Sequence, residues 1–171
     1  MSPESELKEK ITKAFANVEF PGDKDLRGSS LGDEPFLLEE DFRGKADWKS
    51  LSPEFLDQAP DGYSSALSFF SDKAFRFYIP AYMIADVNKL LSRADPEFHL
   101  WHGLTDDTKD EVINERLYGR ETWFDYQKRK FSLFDPLQAD AVIAFLRYCH
   151  PNSPEQIEQA LNNYWMVRDR L

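Results

Sequence analysis

Apolar residues recur along most of this chain at helical spacing, and one block departs from it by being apolar nearly all round. Leu7, Ile11, Ala14, Phe15 and Val18 make one stripe, which predicts a first helix from about Pro3 to Asn17. Leu137, Ala141, Val142, Phe145 and Leu146 do the same for a helix from Pro136 to Cys149. Ile157, Leu161, Tyr164 and Trp165 predict a last helix from Pro154 to about Arg170. The exceptional block is residues 66–91, ALSFFSDKAFRFYIPAYMIADVNKLL, with six aromatic rings around Pro80. Ser71 stands where it caps a helix reaching Arg93. On a helical projection Asp72, Arg76, Asp86, Lys89 and Arg93 share a side, but Ile79, Met83 and Leu90 interrupt it. Such a helix must be mostly buried. Pro80 lacks an amide and crowds the carbonyl of Arg76, which predicts a kink or a break.

Prolines punctuate the remainder. Ser2-Pro3-Glu4, Ser52-Pro53-Glu54 and Ser153-Pro154-Glu155 each supply a capping hydroxyl, a proline at N1 and an acid that complements the helix dipole. Asp95-Pro96-Glu97 and Asp135-Pro136 follow the same grammar, and Ser153 with Gln156 and Asp135 with Gln138 have capping-box spacing. Residues 20–33 are rich in Gly and Ser and read as a loop, followed by a short helix around 36–42, a capped turn over 53–58 and a turn at Pro60-Asp61-Gly62. Residues 65–70 read as a short apolar element. Residues 96–103 fit a helical turn or an extended piece. Thr105 is placed to cap a helix to about Leu117, with Val112, Ile113 and Leu117 inward. Residues 121–134 fit strands or a helix. The fold class is mainly α: one domain, residues 1–171, of about six or seven helices around a Pro-kinked helix at 72–93, with room for a minor β element within 99–134.

The 171 residues can bury one self-sufficient core, and 14 Phe, 7 Tyr and 4 Trp favour a rigid one. A lone cysteine, Cys149, makes no internal disulfide and points to the reducing cytosol. The acidic start MSPESE is unlike a secretory signal, and the longest apolar run, Phe77–Ala85, is about half the roughly 20 residues of a membrane helix. A formal charge of −10 argues against nucleic-acid binding. The charge is uneven. Residues 1–62 carry 15 acids against 8 basic side chains, whereas residues 116–130 carry 5 basic against 2 acidic. Acid on this scale keeps a protein soluble or steers a basic partner.

The segments AFANVEFPGDKDL, FRGKADWKSLSPEFL, ALSFFSDKAFRFYIPAYMIADV and FSLFDPLQADAVIAFLRYC together resemble a bacterial single-domain family of unknown function. The resemblance runs over roughly residues 11–149, and its most specific part is Phe69, Phe70, Ala74, Phe75, Tyr78, Pro80, Ala81 and Tyr82. It implies a bacterial cytosolic domain and supplies no catalytic residue.

Several groupings have chemical potential. Tyr78, Tyr82 and Asp86 lie one turn apart in the central helix, so their polar tips are placed to line a ligand pocket or to form a hydrogen-bonded core network. Glu97, His99 and His102 have the spacing of a nascent metal site, and the alternative is packing beside Phe98 and Trp101. Cys149 and His150 are adjacent, and adjacent helical residues point about 100° apart, unlike a nucleophile and its base. Gly62-Tyr63-Ser64-Ser65-Ala66 lacks the last glycine and the preceding strand of a nucleophile elbow. The run Tyr126 to Phe131 interleaves rings and cations, as a solvated edge or an acid-binding face does. Glu39, Glu40 and Asp41, with Asp33 and Glu34 before them and Phe42 and Trp48 after, make an acidic-aromatic patch suited to a basic partner.

No catalytic, cofactor-binding or metal-ligating residue is assigned, and no cofactor is implied. The favoured reading is an acidic cytosolic protein-interaction module whose partner is a basic protein, with neither nucleic acid nor membrane involved. Immunity and antitoxin proteins are its analogues, by analogy alone. The competing reading is a small-molecule- or metal-binding protein, or an enzyme, using Tyr78, Tyr82 and Asp86 or His99 and His102.

Overall fold

A computed structural model describes residues 1–58 and 66–171. Among them are ten α-helices and no sheet, only the isolated antiparallel bridges Arg27–Phe70 and Val112–Thr122. The turn at 60–62 and the Gly62–Ala66 sequence up to Ala66 lie outside the described residues, as does the first residue of the 65–70 element, which is described from Ala66 on. The chain divides into two compact units, Met1–His99 and Leu100–Leu171.

In the first unit, α1 (Pro3–Phe15) begins where Ser2 accepts the amide of Ser5, and it buries Leu7, Ile11 and Phe15. Next come α2 (Glu34–Phe42), a 3-10 turn (Trp48–Ser50), α3 (Pro53–Gln58) and the short α4 (Ala66–Phe69). The centre is α5 (Asp72–Val87), capped by Ser71, whose hydroxyl accepts the amide of Ala74. Eleven of its sixteen residues are buried, as all-round apolarity requires. Pro80 sits inside α5 without ending it. The helix stops six residues short of Arg93, because Asn88 caps it and Lys89 turns left-handed at φ 58°. Around α5 the rings of Phe42, Phe70 and Tyr78 interlock: Phe42 meets Phe70 and Tyr78 edge-on at 4.9 and 4.8 Å, and Phe70 stacks on Tyr78 at 5.1 Å.

The 26–28 loop is laced to the start of α5. The amide of Gly28 donates to the Phe69 carbonyl and that of Ser71 to the Leu26 carbonyl, both at 2.8 Å. A β-carbon on Gly28 would stand 2.7 Å from the Phe70 carbonyl oxygen, so only glycine permits this approach. Asp57, at the end of α3, accepts the amides of Ser92, Arg93 and Ala94 and the Ser92 hydroxyl. Burial alone would raise this carboxyl; the four donors outweigh it and hold it down to about 2.

The division between units falls within α6 (Pro96–Trp101). The expected helix from Thr105 to Leu117 does not form. Turns occupy 102–110, the amides of Ile113 and Trp123 pair with the carbonyls of Glu121 and Glu111, and only Glu115–Tyr118 is helical (α7). Val112 and Leu117, expected inward, are 44% and 48% exposed. The hydroxyl of Thr105 instead bonds Asp107 and Thr108 side chains, which is local turn chemistry. The 121–134 segment resolves to α8 (Trp123–Phe131), started by a capping box between Thr122 and Asp125. In α9 (Pro136–Cys149) the box of Asp135 and Gln138 is complete. Ser153 makes no such cap for α10 (Pro154–Ala160), which passes into a π turn at Leu161–Trp165 instead of running on to Arg170. Ile157, Leu161, Tyr164 and Trp165 are nonetheless buried, and the Trp165 indole donates to the Leu100 carbonyl at 2.8 Å.

Candidate functional site

The two central tyrosines have different fates. Tyr78 is buried and its hydroxyl donates to the Lys45 carbonyl at 2.6 Å, so its tip closes a loop onto the core. Tyr82 is also buried, and its hydroxyl has no hydrogen-bond partner. Burial pushes both phenols upward, aided at Tyr78 by the charge of Asp23 and at Tyr82 by Tyr78 and Asp57. Asp86 is half-buried near the end of α5, where its carbonyl accepts the amide of Lys89. These groups share one face of the helix. A cavity in this unit lies about a third of the way round the helix from them, against Ala81, Ile84, Ala85 and Asn88.

The acidic patch is reorganised by the fold. Glu39 is half-buried and paired, with Arg27 at 2.9 Å and Arg43 at 3.9 Å. Trp48 is buried and lines that cavity instead of the surface. Glu40 is exposed, and burial together with the neighbouring Glu40 charge raises the carboxyl of Asp41 above its ordinary value. The outward face of α2 was missed in the sequence. Pro35, Leu38 and Phe42 face the core, whereas Phe36 and Leu37 are 47% and 39% exposed and Leu31, just before the helix, is 56% exposed. Asp33, Phe36, Leu37 and Glu40 follow helical i, i+3, i+4, i+7 spacing and form one exposed ridge, apolar in the middle and acidic at both ends. The Arg27 guanidinium lies 4.5 Å from the centre of the Phe36 ring. A helix apolar on both sides was the available signal, but both sides read as core until the fold chooses one.

In the other groupings, His99 lies edge-on to Phe98 at 5.4 Å, and His102 lies edge-on to Trp123 at 4.7 Å. Burial lowers the pKa of His102, partly offset by Glu111 and Asp107. No group of three or more His, Cys, Asp or Glu side chains among the described residues is arranged to hold a metal ion. Cys149 is a buried thiol, and His150 stands 3.4 Å from the Glu158 carboxylate. Within the basic run, Arg129 pairs with Glu121 and lies over the Tyr126 ring, and Lys130 is buried. No helix among the described residues is long and apolar enough to cross a membrane.

The family of unknown function DUF6714 matches residues 3–169, and the chain belongs to it. The match covers both units. No curated protein and no solved structure matches the chain.

Proposed function

We propose that this chain is a cytosolic protein-interaction module that docks a basic partner through the exposed ridge of α2. The observation that carries the reading is the placement of Phe36 and Leu37 in solvent between the acids Asp33 and Glu40, with Leu31 exposed just before them. Large apolar side chains that find no place in their own core favour a surface another protein covers. The acids around them select its charge. Burial and the Glu40 charge already disfavour ionisation of Asp41, and an incoming Lys or Arg would relieve that repulsion. The excess of acid in residues 1–62 extends the same field and would accelerate encounter with a cationic surface. Immunity and antitoxin proteins, acidic covers over basic surfaces, remain the analogy.

The test is affinity capture from the native host with the full chain as bait. The expected result is a basic protein, retained at low salt, released as salt rises, and lost with Leu37→Asp while the circular dichroism and melting temperature of that variant stay unchanged. Capture that survives Leu37→Asp, or a partner without a basic face, overturns the proposal.

A further inference from the structure

The open cavity beside α5 has a volume of about 380 Å³ and is lined by α1, the Trp48–Ser50 turn, α3 and α5, all within the first unit. It is of the size that takes a small organic ligand. Its wall is apolar, built from Trp48, Leu51, Leu56 and Ile84, with Ala81 and Ala85 leaving the space. Among the described residues its polar lining is Thr12, Lys49 and Asn88, with no Asp or Glu.

Of the three polar side chains, Lys49 and Asn88 keep protons to donate to a ligand and Thr12 does not. The Thr12 hydroxyl spends its proton on the Lys8 carbonyl at 2.8 Å. The Asn88 side-chain oxygen accepts from the Lys8 ammonium at 2.8 Å, which leaves the amide NH2 as the group Asn88 can offer a ligand. Lys49 is exposed, enters no ion pair among the described residues, and holds its ammonium 5.8 Å from the Trp48 ring centre. A largely apolar cleft therefore carries one cationic side chain, one neutral donor and, among the described residues, no carboxylate.

We infer that this cavity binds a small amphipathic carboxylate, an apolar chain or ring with a single anionic head. The apolar body packs on Trp48, Leu56 and Ile84, and the head takes the Lys49 ammonium and the Asn88 amide. One cation with one neutral donor matches a monoanion, while no carboxylate among the described lining residues meets an alkylammonium. The site is independent of the α2 ridge, and its failure would leave the docking proposal standing.

The experiment is a titration of the full chain with octanoate, octanol and octylamine, each below its aggregation concentration, followed by NMR of the Ala81, Ile84 and Ala85 methyl groups. The expected result is saturable shifts of these methyls, with octanoate binding about tenfold more tightly than octanol, the difference one charge-assisted contact makes. Lys49→Glu, a change at an exposed position, should remove that tenfold advantage and leave octanol binding as it was. Ala85→Phe, which fills the chamber, should abolish binding of both. Methyls that do not shift saturably, octylamine binding as tightly as octanoate, or octanoate binding indifferent to Lys49→Glu each overturn the inference.

Discussion

At the scale of single residues, burial and hydrogen bonding part company most clearly at Tyr78 and Tyr82. Both rings fill the core completely, but only Tyr78 finds an acceptor, the Lys45 carbonyl. A hydroxyl in the core without a partner forfeits its bonds to water and recovers nothing. Tyr82→Phe should therefore stabilise the protein or leave it unchanged, whereas Tyr78→Phe strands the Lys45 carbonyl and should cost about 1 kcal/mol. Parallel urea unfolding of the two variants decides the matter; an equal loss in both would mean that Tyr82 has an acceptor after all. Asp57 is a second residue whose effect can be read from its surroundings. Its folded carboxyl, at about 2, lies below the ordinary aspartate value near 3.9, so its contribution is full above that value and fades as pH falls through about 2. Asp57→Ala should lower stability at pH 7 by on the order of 1–2 kcal/mol, and the gap to the parent should close between about pH 4 and pH 2. A gap that does not narrow in acid would show that packing, not the carboxylate, holds residues 92–94 to α3.

At the scale of elements, the join between the 26–28 loop and α5 depends on one missing side chain. Gly28→Ala would press a methyl group into the Phe70 carbonyl, and backbone cannot rotate aside as a flexible side chain can. The expected loss is about 1–3 kcal/mol, measured by thermal unfolding, and a variant as stable as the parent would show that the loop is free to withdraw. Elements like α1, α5 and α9 were legible in the sequence because their cap and their stripe agree: Ser2, Ser71 and Asp135 each make the bond that their spacing announces. Where the two signals separate, the reading failed. Thr105 had the right composition for a cap, but its hydroxyl turned to Asp107 and Thr108, and the apolar Val112 and Leu117 had no core to enter. The end of α5 was hidden for another reason. Apolar residues continue past Val87, and nothing in periodicity distinguishes Asn88 as a cap from Asn88 as one more helical position. The candidate sites were legible only in part. Acid near residue 40 was plain, but that Trp48 and Glu39 turn inward while Phe36 and Leu37 turn outward depends on which side of α2 meets α4 and α5.

At the scale of the whole molecule, charge and apolar surface should act on different stages of partner binding. The net charge of −10 acts at a distance and is screened over roughly 10 Å at 0.1 M salt, so it bears on the rate of encounter. The Phe36 and Leu37 side chains act only on contact, so they bear on how long a complex lasts. With the captured partner in hand, Glu40→Lys with Asp33→Lys should slow association by about tenfold at low salt and leave dissociation nearly unchanged. Leu37→Asp should do the reverse, speeding dissociation at every ionic strength. Surface plasmon resonance across a salt series separates the two. If reversing the charges changed dissociation alone, the acids would be direct contacts of the partner and not a steering field, and the basic side chains that meet them would lie inside the interface rather than around it.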